Sequence, residues 1–187
     1  MAARVTRIVR RSRIRLVVGA SLLGALAGGC GLAASTGGAP PTATLAVPSL
    51  SPAIAETRQL IVAALSDRGL TLQDARQPFR PPESPLLVDA PRSVFQVVLP
   101  DDPGHGFVVV YEFRDGASAT TAGAELARYV GGGPGSVQFP PDTQHLIRLV
   151  GTTLVIYSWS PANSTDARAP GIFTALGSVG TGIDARR

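Results

Sequence analysis

The sequence predicts an α+β domain, in which an antiparallel sheet of about four to six strands carries two or three helices packed mainly on one face. Three observations lead to this prediction. Segments of helical and strand periodicity follow one another in the order helix, strands, helix, strands, helix. The two clearest pairs of strands are each joined by turn residues, which indicates antiparallel hairpins. The helices lie outside these pairs and are therefore expected to cover the sheet.

The first element is a helix that begins after Ser51 and stops at Gly69. Ser51 is a suitable N-cap, and Pro52 fits the first helical turn. The apolar residues that recur at helical spacing are Ile54, Ile61, Ala64 and Leu65. Short strands are predicted at 70–72 and 86–88, on either side of a proline-rich loop.

Residues 93–99 and 106–113 predict the first hairpin. Both runs are rich in β-branched and aromatic residues, and 100–105 has the composition of a turn. In the second run, alternation places Phe107, Val109, Tyr111 and Phe113 on one face and Val108, Val110 and Glu112 on the other. Because both faces are largely apolar, this strand is expected to be central.

The second half of the chain repeats the pattern. Asp115 is predicted to cap a helix that runs to Val130, and 145–150 with 153–159 predict a second hairpin. A last helix is expected after a cap at Ser164 or Asp166. Residues 51–180 are thus assigned to a single folded domain, and 181–187 is predicted to fray.

The amino-terminal segment has the three parts of a secretion signal. Residues 1–15 contain six arginines and no acidic residue, and 16–26 form an apolar run too short to span a hydrocarbon core of ~30 Å. The sequence Leu26-Ala27-Gly28-Gly29-Cys30 follows. It resembles the lipobox of bacterial lipoproteins, which implies cleavage after residue 29 and attachment of lipid, including diacylglycerol, to Cys30.

This resemblance predicts where the protein resides. Residues 1–29 are interpreted as a signal peptide, and 30–50 as a lipidated flexible linker rich in Ala, Gly, Ser, Thr and Pro. The domain is then expected on the extracytoplasmic side of the cell membrane, with the lipid on Cys30 as its membrane partner. Cleavage leaves 11 arginines against 13 carboxylates, a side-chain charge of −2, which argues against nucleic acid as a partner.

Composition excludes several chemistries. The chain contains no lysine, so neither a Schiff base nor the lysine of a phosphate-binding loop can form. Cys30 is its only cysteine, and no G-x-S-x-G motif occurs. We therefore assign no catalytic residue, no metal ligand and no cofactor from the sequence.

The two histidines are the candidates that remain. His105 lies beside Asp101 and Asp102, where a metal ion or a general base can be imagined. The same residues form a good turn, and a solvated turn is the preferred interpretation. His145 starts a predicted strand, where a hydrogen-bonded structural histidine is preferred over a ligand.

Tyr111, Tyr157 and Trp159 are the candidate ligand-binding residues, because amphipathic rings suit a groove on an open sheet face. Core packing is the preferred role for most of these rings, because the chain has few aromatic residues. Residues 55–178 loosely resemble small uncharacterised lipoproteins of GC-rich bacteria, in a pattern that includes Pro140-Pro141, His145 and the strand ending at Tyr157. That resemblance implies no activity.

The leading functional hypothesis is a lipid-anchored envelope protein that binds a protein or a small ligand without catalysis. One alternative is a hydrolase that uses His105 or His145 with a serine. The other is a structural or assembly factor of the envelope that acts through an exposed strand edge.

Overall fold

A computed structural model of the chain describes residues 49–185. In chain order its elements are α1 (Pro52–Ser66), β1 (Leu72–Asp74), β2 (Arg92–Val97), β3 (Phe107–Glu112), α2 (Gly116–Gly131), β4 (Gln144–Val150), β5 (Thr153–Trp159), α3 (Ala169–Leu176) and β6 (Thr181–Ile183). The six strands form one antiparallel sheet in the order β1-β2-β3-β5-β4-β6. The predicted α+β class is confirmed. The signal segment, Cys30 and the linker to residue 48 lie outside the described residues.

Both predicted hairpins are present. β2 pairs with β3, and β4 pairs with β5. β3 and β5 are neighbours at the centre of the sheet, where Val109 lies opposite Ile156. The prediction that β3 is central is therefore confirmed, and its two apolar faces are explained by cover on both sides.

The two faces of the sheet carry separate apolar cores. Val108 and Val110 of β3 pack with residues of α1 and α3, whereas Val109 and Tyr111 pack with residues of α2. The side-chain alternation predicted for this strand is thus confirmed. Two helices cover one face of the sheet, and the third covers the other.

Side-chain caps fix where the first two helices begin. The Ser51 hydroxyl accepts a hydrogen bond from the Ile54 N–H at 3.2 Å. The Asp115 carboxylate accepts one from the Ser118 N–H at 2.7 Å, and this bond lowers the pKa of Asp115. Both caps were predicted, because Ser and Asp satisfy amide groups that a helix leaves unpaired.

Several local predictions were wrong. Residues 86–88 do not form a strand, because Pro85–Leu87 makes a turn of 3-10 helix. The first strand begins at Leu72. The last helix has Arg168 at its N-cap position, instead of Ser164 or Asp166. The Asp166 carboxylate accepts hydrogen bonds from the backbone N–H and the guanidinium of Arg168, just before the helix begins.

Thr181–Ile183 forms a strand where fraying of 181–187 was predicted, and 186–187 lie outside the described residues. Thr181–Ile183 pairs with β4 as the edge strand β6. The Arg148 guanidinium donates to the carbonyl oxygens of Val179 at 2.6 Å and Gly180 at 2.7 Å. This arginine holds the chain at the point where it turns back toward the sheet.

Candidate functional site

A cavity of about 290 Å³ lies at the end of the sheet where β3 begins and β5 ends. Its volume is close to the lower end of the range for small-molecule pockets. Five aromatic rings line it, and they belong to Phe79, Phe107, Phe139, Tyr157 and Trp159. Such a wall is suited to a flat apolar ligand.

Loops and strands build the wall together. Phe79, from the proline-rich loop, stacks on Phe107 at the start of β3, with ring centroids 4.2 Å apart and planes 4° apart. Phe139, from the segment after α2, packs edge-on against the His145 ring, with the two ring centroids 4.6 Å apart. The neighbouring prolines restrict the backbone of both loop segments.

Two of the three predicted ligand-binding residues line this cavity. They are Tyr157 and Trp159, which lie two residues apart on β5 and therefore point to the same face of the sheet. Burial raises the pKa of the Tyr157 hydroxyl above its ordinary value, and the negative charge of Asp102 makes a smaller contribution in the same direction. Tyr157 therefore stays protonated at neutral pH.

Tyr111 is not brought into the cavity with them. It packs in the core on the α2 side, and its hydroxyl donates to Glu83 Oε1 at 2.5 Å. The only cavity that it lines among those described is an adjoining crevice of about 10 Å³. Its alternation along β3 places it on the face opposite Tyr157, so Tyr111 takes the core-packing role and does not share a groove with Tyr157.

His105 and Asp102 form a close pair at the cavity rim. The distance from His105 Nδ1 to Asp102 Oδ1 is 2.5 Å. The other carboxylate oxygen accepts hydrogen bonds from the Ser164 hydroxyl at 3.2 Å and the Thr165 N–H at 3.3 Å. The predicted turn is present and is exposed at Asp101 and at 103–105, but within it the Asp102 side chain is only 8% exposed.

The environment of Asp102 favours its ionised form. Burial alone would raise the pKa of Asp102, but the hydrogen bond and charge of His105 outweigh it, with help from Thr165 and Ser164. The net result is a pKa below the ordinary value. Asp102 is therefore a carboxylate at neutral pH, and His105 Nδ1 carries the shared hydrogen.

The loop that carries this pair is joined to the segment 164–166 by further hydrogen bonds. The Thr165 hydroxyl donates to the Asp101 carbonyl at 2.7 Å, and the Asp101 N–H donates to the Asp166 carboxylate at 3.3 Å. Hydrogen bonds from Arg168 hold the pKa of Asp166 well below its usual range. The rim around His105 is thus held in place by several hydrogen bonds between these two segments.

His145 and Ser158 form a second polar pair. They lie directly opposite each other on β4 and β5, and His145 Nδ1 is 2.9 Å from Ser158 Oγ. The prediction of a hydrogen-bonded strand histidine is confirmed. Ser158 also lines the cavity, which places one hydroxyl of this pair on its wall.

Two other lining residues carry buried polar atoms. Trp159 Nε1 and Thr143 Oγ1 have no hydrogen-bond partner among the described residues. Such atoms are uncommon in folded proteins, and bound water or ligand often satisfies them.

Sequence reasoning missed Thr143 and the three phenylalanine rings. Phe79 and Phe139 lie next to prolines outside any predicted strand, and this adjacency is the signal that could have drawn attention to them.

The cavity carries little charge. No Arg, Asp or Glu occurs among the described residues that line it, and His105 and Tyr157 are its titratable groups. Within 49–185, no group of three or more His, Cys, Asp or Glu side chains could hold a metal ion. Over the same range, no helix is long and apolar enough to cross a membrane.

Comparisons with known proteins do not add to this chemistry. No protein-family model, curated protein or solved structure matches the chain.

Proposed function

We propose that this protein is a non-enzymatic binding module for a small apolar ligand, held on the extracytoplasmic side of the cell membrane by lipid on Cys30. One observation carries the ligand-binding part of this proposal. It is the cavity at the end of the sheet, whose wall includes five aromatic rings and no Arg, Asp or Glu among the described lining residues.

The composition of the wall suits binding of an apolar molecule. Burial of apolar surface contributes ~25 cal/mol per Å², and aromatic pairs add ~0.5–1.5 kcal/mol each. The stacked Phe79 and Phe107 rings form part of the wall before any ligand arrives. A wall that is already in place reduces the ordering cost of binding.

The arrangement around His105 argues against a catalytic triad there. In such a triad the imidazole lies between the serine and the carboxylate. Here the Asp102 carboxylate lies between His105 and Ser164. Asp102 therefore accepts from both groups, and this order does not supply a base for Ser164.

The lipid anchor is proposed from Leu26-Ala27-Gly28-Gly29-Cys30 and the basic and apolar segments before it. Two or more acyl chains give stable membrane attachment, where one would be marginal. The linker of 31–50 would hold the domain about 25 Å from the bilayer, at ~5–6 Å times the square root of its length. Membrane-derived and free apolar molecules would both be within reach.

Calorimetric titration of the full-length chain with 4-propylanisole tests the ligand-binding proposal. We expect saturable binding that Ser158→Leu abolishes, because the larger side chain fills the cavity. Ser178→Leu is the matched control, since Ser178 is exposed after α3 and does not line the cavity. Equal binding by both variants would place the ligand elsewhere and refute the assignment.

A hydrolase is the second candidate, and the Ser158–His145 pair favours it. A serine hydroxyl within hydrogen-bond distance of an imidazole on a cavity wall is a feature of activated nucleophiles. Hydrolysis of 4-nitrophenyl butyrate that is lost in Ser158→Ala and retained in Ser164→Ala would support it. Turnover that vanished instead in His105→Ala would assign the activity to the other histidine.

The assembly-factor alternative requires a strand edge that can accept a partner strand. The two edge strands are β1 and β6, with three residues each. Edges this short give few main-chain hydrogen bonds to a partner. A pull-down with the lipidated protein tests this role. Capture of one envelope protein that is lost in Thr181→Pro would favour it.

A further inference from the structure

We propose that the ligand is a neutral aromatic molecule with a hydroxyl group, and that His105 Nε2 accepts the hydrogen bond from that hydroxyl. This inference rests on the proposed ligand-binding function of the cavity and names the chemical class of its ligand. It uses the His105 ring at the rim, the buried Asp102 that orients it, and the aromatic wall beside it.

Asp102 determines which ring nitrogen is left for a ligand. Its carboxylate accepts a hydrogen bond from His105 Nδ1–H at 2.5 Å, so the nitrogen that carries the lone pair in the neutral form of the ring is Nε2. No hydrogen bond to Nε2 from another described residue is seen. The His105 side chain is 55% exposed and lines the cavity, so Nε2 is within reach of a molecule that enters there.

Orientation of the ring is maintained by residues behind it. Asp102 also accepts hydrogen bonds from Ser164 and Thr165, and these bonds fix the position of the carboxylate. Asp102 is therefore a positioning residue, which acts on the ligand through His105. A ring held in this way loses little conformational freedom when it accepts a hydrogen bond.

The charge around the cavity favours a hydroxyl over an acid as the ligand's polar group. No arginine lines the cavity among the described residues, and the nearby Asp102 carboxylate repels an anion. A ligand carboxylate would therefore have no arginine to pair with in the described cavity wall. An aromatic hydroxyl donates one hydrogen and stays neutral, and its ring can pack against Phe107 and Trp159.

A matched pair of probes tests the inference on the full-length chain. Both 4-propylphenol and 4-propylanisole have the same ring and chain, but only the phenol can donate a hydrogen bond. We expect calorimetry to show about tenfold tighter binding of the phenol, the value of one net hydrogen bond near 1.4 kcal/mol. Binding of the anisole reports the apolar cavity by itself.

Two variants locate the effect. His105→Phe keeps an aromatic ring but removes the acceptor, so we expect both probes to bind with equal affinity. Asp102→Asn is expected to reduce the preference for the phenol without an equal loss for the anisole. A purely structural role of Asp102 would weaken both probes together, so the ratio of their affinities separates positioning from folding.

The outcomes distinguish this inference from the proposed function. If neither probe binds, the ligand-binding function fails and the inference fails with it. Equal binding of the two probes to the unmodified protein would overturn the inference and leave the function intact. A preference for the phenol that persists in His105→Phe would also overturn it, because the acceptor would then be another group.

Discussion

At the residue scale, Asp102 combines burial with ionisation, and this combination makes the stability of the protein depend on pH. Its pKa is lowered in the folded protein, so its contribution to stability is present above the unfolded value of 3.8 and is lost as pH falls through the folded value. We expect Asp102→Asn to destabilise the fold by about 1–3 kcal/mol at pH 7, because three hydrogen-bond donors lose a charged acceptor.

The difference between Asp102→Asn and the unmodified chain should shrink as the pH is lowered from 7 toward 3. Urea unfolding at both pH values measures it. Asp67→Asn is the control, because Asp67 is exposed at the end of α1. A difference that stayed constant between the two pH values would contradict the assigned pKa direction of Asp102.

Tyr111 provides a second test at this scale, because it packs in the core on the α2 side and does not line the proposed binding cavity. Its hydroxyl donates to Glu83, whose side chain is 3% exposed and is also bound by Arg80 and Arg92. Burial, together with Glu83, raises the pKa of Tyr111. We expect Tyr111→Phe to reduce the free energy of unfolding by about 1.5–3 kcal/mol, the range for a hydrogen bond to a charged group.

The same variant should bind 4-propylanisole with unchanged affinity, since Tyr111 does not line the cavity of about 290 Å³. Urea unfolding and calorimetry measure the two quantities separately. A large loss of affinity at unchanged stability would show that Tyr111 contributes to the binding site.

The candidate site was predictable only in part for a physical reason. Tyr157 and Trp159 could be identified because amphipathic rings on a predicted strand are visible in the sequence. The positions of Phe79 and Phe139 depend on how loops fold against the sheet, and loop conformation carries no periodic signal. The burial of Asp102 depends on Thr165, which is distant in the chain.

At the scale of elements, each hairpin contains a glycine with positive φ, but their surroundings differ. A Cβ on Gly106, at φ +83°, would lie 2.7 Å from the Val97 carbonyl oxygen. A Cβ on Gly151, at φ +57°, would meet nothing within 4 Å. We expect Gly151→Ala to cost about 1–2 kcal/mol from backbone strain. Gly106→Ala should cost about 3 kcal/mol or more, because the backbone of β2 must also move.

The midpoints of urea unfolding for the two alanine variants test this difference directly. Each variant serves as the control for the other, since both carry the same strain of positive φ. Equal loss of stability would mean that the close approach between Gly106 and Val97 has no energetic consequence.

The elements that could be predicted are those with their signal in local sequence. The two hairpins and the caps at Ser51 and Asp115 depend on neighbouring residues, and the structure contains them as expected. β6 could not be predicted in this way, because its order comes from pairing with β4 and from Arg148, which lies more than 30 residues earlier. Long-range contacts of this kind have no local signature.

At the scale of the whole molecule, charge and membrane attachment are linked through the proposed cleavage. Six of the 17 arginines lie in 1–15, ahead of Cys30. Without them the side-chain charge of the remaining chain is −2, so attraction to anionic lipid headgroups would not hold it at a membrane. Attachment would then depend on the acyl chains, whose contribution grows by ~0.8 kcal/mol per buried CH₂.

Cys30→Ser therefore provides a test of the molecule as a whole, because the hydroxyl cannot replace the thiol as the acceptor of diacylglycerol. In the native host we expect the unmodified protein in the membrane fraction, with a mass that corresponds to residues 30–187 plus lipid. The Cys30→Ser protein should carry no lipid and should retain residues 1–29, since cleavage of a lipobox follows lipidation. Ser35→Ala in the linker is the control and should be processed normally. Identical masses and fractionation for the unmodified and Cys30→Ser proteins would refute the lipid anchor, whatever the cavity binds.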